Sequence, residues 1–411
     1  MDISFLEEFK QREYYNQCTD FDSLNNLMNS KPIRAYIGFD CTAKSLHVGS
    51  LLQIMCLRML QKYGHQPIVL LGGGTTRIGD PSGKEETRKI LSDKEIESNI
   101  KNIQKVFNIF LKSNNAKTKP IYVNNYKWLG KLNYIKFLRE IGKHFTINKM
   151  LSFDSVKLRL DREQSLSYME FNYMILQAYD FLELNKNKNC VMQIGGSDQW
   201  GNIVNGVELI KRFSSKQSFG LTTPLITLAS GAKMGKTEKG AVWLDKALLS
   251  PYEYWQFWRN TDDRDVIKFL KMFTDLSIKK INEIKNKNVN DLKITLANEA
   301  TSMLHGKSAA EKAEQTARKT FVSGSIGEDL PTLNISKKEI ENGVNIIDLV
   351  VLSKLLVSKS EVRRTIKNRG IKINNEIIED QNLKILIKDF KNQNILKLSL
   401  GKKKHVIIKM D

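Results

Sequence analysis

The sequence predicts an α/β fold: a doubly wound parallel sheet, then an α-helical segment, then a small basic α+β unit. Three observations predict it. Short apolar runs alternate with amphipathic helical stretches up to about residue 245, and those runs exit on glycine clusters. Residues 331–411 then hold 17 Lys and Arg against 9 Asp and Glu, a surplus of eight.

The elements follow in order. Residues 1–31 read as a helical leader ending at Pro32, and the apolar run 33–39 reads as a buried strand. Through 49–62, Leu51, Leu52, Met55, Met59 and Leu60 recur at helical spacing. A second strand at 67–71 runs into Gly72-Gly73-Gly74, and a further strand at 190–194 is closed by Gly195-Gly196. In a doubly wound sheet ligands sit outside the carboxyl ends of the strands, where these glycine loops lie. Ser250-Pro251 marks a boundary, and residues 251–322 are helical without further glycine-rich exits. Ser323-Gly324-Ser325-Ile326-Gly327 reads as a linker ending near Pro331. The expected division is therefore 1–250, 251–325, a linker at 326–340, and 341–411.

Composition narrows the class. A chain of 411 residues exceeds one ordinary domain, and 41% hydrophobic with 27% charged residues is globular. The net charge of +20 favours polyanionic partners, although a solvated lysine-rich surface accounts for it equally well. Cys18, Cys41, Cys56 and Cys190 form no C-x-x-C pair, which argues against a metal site and suits reduced thiols in a cytosol. The acidic N-terminus has no apolar run of signal length, and the stretch 346–357 is broken by Asp348, Ser353 and Lys354. A soluble cytoplasmic protein without membrane contact is expected.

Two short motifs carry chemistry. His47-Val48-Gly49-Ser50 lies between a strand and a helix, where free N–H groups and the helix dipole can hold phosphate. Lys233-Met234-Gly235-Lys236-Thr237 lies between Gly231 and Gly240, and two lysines three apart suit a loop that closes over pyrophosphate. Taken singly, each is also an ordinary turn. Tyr173, Gln177 and Asp180 share one face of an otherwise apolar helix, so that stripe needs partners, either a structural network or a ligand.

In this order the two motifs resemble the paired signatures of class I aminoacyl-tRNA synthetases. Within that class the chain resembles the bacterial-type tyrosine enzymes over essentially its whole length. The carrying segments are Tyr36-Ile37-Gly38-Phe39-Asp40, Ile78-Gly79-Asp80-Pro81-Ser82-Gly83-Lys84, 173–180 and Gln193-Ile194-Gly195-Gly196-Ser197-Asp198-Gln199-Trp200. The resemblance implies a Rossmann-like catalytic sheet, a homodimer, and a reaction in which tyrosine and ATP give tyrosyl-adenylate before transfer to tRNA(Tyr). It implies that Tyr36 and Asp180 hold the phenol hydroxyl, and that Tyr173, Gln177 and Asp80 hold the ammonium group. Gln193 and Gln199 would line the same pocket. Thr42 and His47 would meet the γ-phosphate, with Lys84, Arg88, Lys233, Lys236 and Thr237 around the departing pyrophosphate. Gly38, Asp40, Gly49, Gly196 and Asp198 would take the rest of the nucleotide, with magnesium carried by ATP and no protein-bound metal. Ser50 and Gln53 depart from the family pattern near that nucleotide.

The C-terminal unit has its own pattern. Ser358-x-x-Glu361 is a capping box, followed by Arg363, Arg364, Lys367 and Arg369, a stop at Gly370, and strand and turn through 371–375. A charged helix is also simply a solvated face. The segment resembles the small RNA-binding domain of the ribosomal small-subunit protein four type, which implies that these cations, with the helical segment 251–325, meet tRNA. Residues 120–160, with Trp128, Leu129, Phe137, Phe145 and Met150, are the expected dimer face. Three other readings stand beside this one. A tryptophan–tRNA ligase should lack the Tyr36/Asp180 pair and the C-terminal domain, a non-catalytic RNA-binding protein on a synthetase fold should show eroded lysines or a broken pocket, and a plain nucleotide-binding enzyme with a basic tail leaves the coincidence of motifs unexplained.

Overall fold

The computed structural model describes residues 3–82, 91–231, 234–237, 240–322, 330–390, 394–401 and 404–411. A six-stranded sheet runs through the first half. Its strands are β1 (Gln17–Cys18), β2 (Arg34–Phe39), β3 (Gln66–Leu71), β4 (Ile121–Asn124), β5 (Cys190–Gly196) and β6 (Phe219–Thr223), in the spatial order β1-β6-β5-β2-β3-β4. The five strands β2 to β6 are mutually parallel. The chain winds outward from β2 to β4, then returns to start again at β5 on the other side of β2. That reversal is the switch point at which doubly wound sheets open a crevice.

Alternation along the strands decides what faces what. On β2, Ala35, Ile37 and Phe39 join the buried cluster that includes Leu52 and Phe107, from the helices Leu51–Lys62 and Asp93–Phe110. Tyr36 points to the opposite face, into the cluster of Met174, Ile175, Ala178 and Phe181 on the helix Tyr173–Lys188. Covered on both faces, the strands read as continuous apolar runs rather than as alternating ones.

Four expectations need correction. The leader is not wholly helical: between the helices Phe5–Gln11 and Phe21–Ser30, β1 adds an antiparallel edge to β6. Two residues are too few to show a strand period. The stretch read as a linker contains β9 (Thr332–Ile335), which pairs parallel with β15 (Lys404–Met410). The basic helix Lys359–Lys367 is closed by a left-handed Arg369 (φ +55°), not by Gly370, although a Cβ on Gly370 would stand 2.7 Å from Thr365 Cγ2. Finally, the residues named for the dimer face turn inward. Met150 is buried, and Trp128, Phe137 and Phe145 pack on the cluster around Tyr36. Tyr126, Tyr134, Ile135, Leu138, Ile147, Leu151, Leu158 and Leu160 are the large exposed apolar side chains of that region among the described residues.

The helices from Pro251 to Val322 share a core with the sheet. Trp255, Trp258, Phe269 and Leu296 belong to the same buried cluster as Leu52 and Val69. The leader fastens to them: the Arg12 guanidinium donates to the carbonyls of Lys271 (2.8 Å), Thr274 (3.1 Å) and Leu276 (2.9 Å). The chain after Leu330 builds a separate core around Ile346, Leu349, Val362, Leu396 and Ile408. Between β7 (Lys236–Thr237) with β8 (Gly240–Ala241) and the last strands lie β10 (Val344–Asn345), β11 (Ile371–Ile373), β12 (Glu376–Ile377), β13 (Lys384–Ile385) and β14 (Ile395–Leu400). The last sheet has the order β12-β11-β14-β15-β9. Asn374 and Asn375 both take positive φ (+49° and +76°) in the turn from β11 to β12, a conformation that asparagine tolerates. Among the described residues no helix is long and apolar enough to cross a membrane.

Candidate active site

A cleft of about 320 Å³ opens at the carboxyl ends of β2 and β5, at the switch point. Twelve of the expected site residues line it. Tyr36, Gly38 and Asp40 come from β2 and its exit, and Gln193, Gly196, Asp198 and Gln199 come from β5 and the turn after it. Tyr173, Gln177 and Asp180 come from one helix face, and Gly49 and Asp80 from two loops. The helical spacing of 173, 177 and 180 therefore does what it predicts.

At one end lie Tyr36 and Asp180. Tyr36 is 1% exposed, its ring packs on Phe181, and its hydroxyl is buried without a hydrogen-bond partner among the described residues. Burial first, and then the charge of Asp180, hold that phenol well above its ordinary value. Asp180 is 2% exposed and accepts from Asn125 Nδ2 (2.9 Å) and Trp128 Nε1 (2.7 Å). Burial raises its carboxyl to about 7, with those two donors opposing the rise. Asn125 is itself fully buried, donates also to Thr75 Oγ1 (3.0 Å) and accepts from the Gly74 amide (2.7 Å).

A second set of polar groups spans the cleft. Asp40 accepts from Thr75 Oγ1 (2.8 Å) and Tyr173 Oη (3.0 Å). Asp80 accepts from Gln199 Nε2 (2.9 Å), and Asn202 donates to both Gln177 Oε1 and Gln199 Oε1 at 3.1 Å. Gln193 Oε1 is buried without a partner among the described residues. The polar stripe is thus both readings at once: a bonded network, and one that faces open space.

The two signature motifs meet backbone to backbone. Val48 N donates to Val242 O (2.9 Å) and Leu244 N to Leu46 O (2.9 Å), which ties the first motif to the chain just beyond the lysine loop. Gly235 takes φ +102°, and a Cβ there would sit 2.8 Å from Gly49 N; a Cβ on Gly49 would sit 2.9 Å from Met234 O. Neither position has room for a side chain, and the first also has the wrong φ for one. His47 Nδ1 accepts from Gly49 N (3.0 Å), so a neutral ring carries its proton on Nε2. No side chain caps the helix Leu51–Lys62 that follows.

Some expected residues do not join the cleft. Thr42 is exposed in the loop after β2 and is not part of the lining. Lys84, Arg88 and Lys233 lie outside the described residues, and Lys236 and Thr237 contribute the backbone of β7. Arg363, Arg364, Lys367 and Arg369 are exposed on the C-terminal unit, where Arg369 pairs with Glu379 at 2.9 Å. Among the described residues no three His, Cys, Asp or Glu side chains converge in a metal-holding group. Sequence reasoning missed Asn125, Thr75 and the inward role of Trp128. The available signal was Asn124-Asn125 at the carboxyl end of β4, a strand that was not identified.

Comparison with known proteins bears on this geometry. A family model described as tRNA synthetases class I (W and Y) matches residues 28–322, and one described as the tyrosine–tRNA ligase SYY-like C-terminal domain matches 307–408. The tyrosine–tRNA ligase of Pelagibacter ubique (strain HTCC1062) is 66% identical over 406 residues, 99% of each chain. That of Xanthobacter autotrophicus (strain ATCC BAA-1158 / Py2) is 54% identical over 409 residues, covering 98% of this chain and 97% of that one. Among solved structures, a C-terminally truncated mitochondrial tyrosyl-tRNA synthetase of Aspergillus nidulans superposes with a TM-score of 0.70 at 31% identity, covering 77% of this chain and 94% of that chain. With both family models matched and its relatives alike from end to end, the chain belongs to the tyrosine–tRNA ligase family of class I tRNA synthetases.

Proposed function

We propose that the protein activates tyrosine with ATP and transfers it to tRNA(Tyr). The observation that carries this is the Tyr36 hydroxyl, buried without a partner among the described residues at the end of the cleft that Asp180 also lines. A phenol that donates to Asp180 and accepts from Tyr36 satisfies both. A phenylalanine ring leaves the Tyr36 hydroxyl unpaired and brings Asp180 no further donor, and that cost supplies the discrimination. Asp80, Tyr173 and Gln177 receive the ammonium group, and Gln193 and Gln199 complete the pocket.

The reaction needs position and charge rather than a protein nucleophile. The tyrosine carboxylate attacks the α-phosphorus of ATP, and pyrophosphate leaves with the bonding pair. Gly38, Asp40, Gly49, Gly196 and Asp198 hold the nucleotide, and the amides that open the helix Leu51–Lys62 face its phosphates. His47, through Nε2–H, and Thr42 donate to the γ-phosphate. Lys84, Arg88, Lys233, Lys236 and Thr237 surround the departing charge. Magnesium travels on the phosphate oxygens of ATP. In the second step the ribose hydroxyl of tRNA attacks the acyl carbon and releases AMP.

The division of labour runs along the chain. Residues 1–250 activate, 251–325 and the basic unit hold tRNA, and that unit begins at β9 rather than at 341. The exposed apolar residues between Tyr134 and Leu158 are the face of a homodimer, and the site of action is the cytoplasm. Pyrophosphate exchange into ATP, run with each amino acid in turn, tests the reading. Tyrosine alone should support exchange; exchange with tryptophan, or with none, overturns it.

A further inference from the structure

A buried amide stands behind the polar groups of the cleft. Asn202 is 5% exposed, lies in the first turn of the helix Trp200–Ser214 that leaves β5, and is not part of the cleft lining. That helix packs on the helix Tyr173–Lys188. The approach is close: a Cβ on Gly206 would stand 2.9 Å from Phe181 Cδ1. One turn earlier on each helix, Asn202 meets Gln177.

The bonds through Asn202 have one consistent direction. A carboxylate only accepts, so Gln199 turns its NH₂ to Asp80, at 2.9 Å. Gln199 Oε1 then points the other way and takes a donor, which Asn202 Nδ2 supplies at 3.1 Å. The second hydrogen of the same Nδ2 goes to Gln177 Oε1, also at 3.1 Å. The carboxylate at one end of this series thereby decides which end of the Gln177 amide is held at the other. Asp80, Gln199 and Gln177 line the cleft, whereas the residue that sets the sense of both glutamines does not. An amide has little preference of its own, because its oxygen and its NH₂ are nearly alike in shape. Turned over, Gln177 would set NH₂ against a substrate ammonium, donor against donor.

We infer that Asn202 is a positioning residue for recognition of the α-ammonium of tyrosine: its Nδ2 fixes the amide oxygens of Gln177 and Gln199, so that Gln177 meets the ammonium as an acceptor through its remaining lone pair. The inference rests on the tyrosine site proposed above, and the two fail distinguishably. If the unaltered enzyme shows no tyrosine-dependent exchange, that site falls and the role of Asn202 with it. If it shows exchange and the arms below fail, only the role of Asn202 falls.

The test uses the full-length chain with Asn202→Leu, which keeps the volume, and Asn202→Ala, which does not. Two competitors of tyrosine are titrated beside it: tyramine, which keeps the ammonium and lacks the carboxylate, and the analogue with hydrogen in place of the amino group. Both variants should raise KM for tyrosine about tenfold, the size of one lost hydrogen bond, and leave KM for ATP unchanged. Inhibition by tyramine should weaken by the same factor. Inhibition by the analogue without an amino group should be the same in the variants and the unaltered enzyme, because it carries nothing for the glutamine oxygen to accept. Equal weakening of both competitors overturns the proposal, since a pocket that has merely lost its shape does not distinguish them. So does an unchanged KM for tyrosine in both variants, or a parallel rise in KM for ATP.

Discussion

The cleft and the basic helix Lys359–Lys367 are both polar, yet they are opposite designs. At the end of the cleft Asp180, Asn125 and Tyr36 are at least 98% removed from solvent; Asp180 and Asn125 are bonded to their neighbours, and the Tyr36 hydroxyl has no partner among the described residues. On the helix Arg363, Arg364 and Lys367 stand in water. A buried group has no water to fall back on, so an unmatched ligand is penalised heavily and the site discriminates. An exposed cation trades water and counterions for phosphate, so it gives salt-dependent affinity and little choice. The fold delivers the first through a parallel sheet covered on both faces and the second through a small unit with its own core.

If the interior is where position counts, backbone changes there should cost most. Gly235→Ala forces a Cβ against the Gly49 amide at an unfavourable φ, and should slow adenylate formation on the order of 10²-fold while sparing tyrosine binding. Lys236→Ala should do the same by removing charge from the leaving group. Single-turnover rates beside tyrosine titrations separate the two quantities; equal losses in both would break the comparison. Next in size is Tyr36→Phe. It removes one hydroxyl from a buried pair and should shrink the kcat/KM preference for tyrosine over phenylalanine by about 1–3 kcal/mol. An unchanged ratio would show that Tyr36 is packing alone.

Titration sharpens the contrast further. The Asp180 carboxyl, raised to about 7 by burial, is mostly protonated at pH 6 in the free protein. A substrate phenol that donates to it favours the ionised form. Tyrosine affinity should therefore weaken as pH falls through 7, by about tenfold at pH 6 relative to pH 8, and be flat above. Stability runs the other way. A carboxyl with a raised folded value destabilises the fold progressively from pH 4 to pH 7 and adds no slope beyond. Isothermal titration across that range, repeated on Asp180→Asn, should show the dependence and then its loss.

Much of this was legible in the chain. Strands at 33–39, 67–71 and 190–194, the helix carrying Tyr173, Gln177 and Asp180, and the paired motifs are local patterns, and local patterns survive folding. What the sequence hid is non-local. Asn125 and Trp128 reach Asp180 across more than 50 positions, and nothing in the periodicity of the helix says which donors will face it. The strands β1 and β9 are too short to show a period and form because neighbours supply pairing. Trp128 and Phe145 were expected on the dimer face, whereas they pack against the buried cluster around Tyr36, a non-local contact.

The smallest effect belongs to the exposed cations, and its form matters more than its size. Arg363, Arg364 and Lys367 project from one exposed helix, with Val362 and Ile366 buried beneath as its anchor. Replacing the three by alanine leaves that anchor intact, so the unit should keep its fold. Each exposed ion contact is worth roughly 0.2–1 kcal/mol, and together they should weaken tRNA binding only about fivefold at physiological salt. The diagnostic is the slope. Losing three phosphate contacts should flatten the dependence of log affinity on log salt by about two. Tyrosine-dependent pyrophosphate exchange should not move, because no atom of the cleft has changed. A chain ending near residue 325 carries the same logic to its limit, with exchange retained and charging lost. If the triple variant binds tRNA with an unaltered slope, the helix is a solvated face and the tRNA contacts lie elsewhere. If exchange falls along with charging, the two regions are coupled, and the contrast between a discriminating interior and an attracting exterior does not hold for this chain.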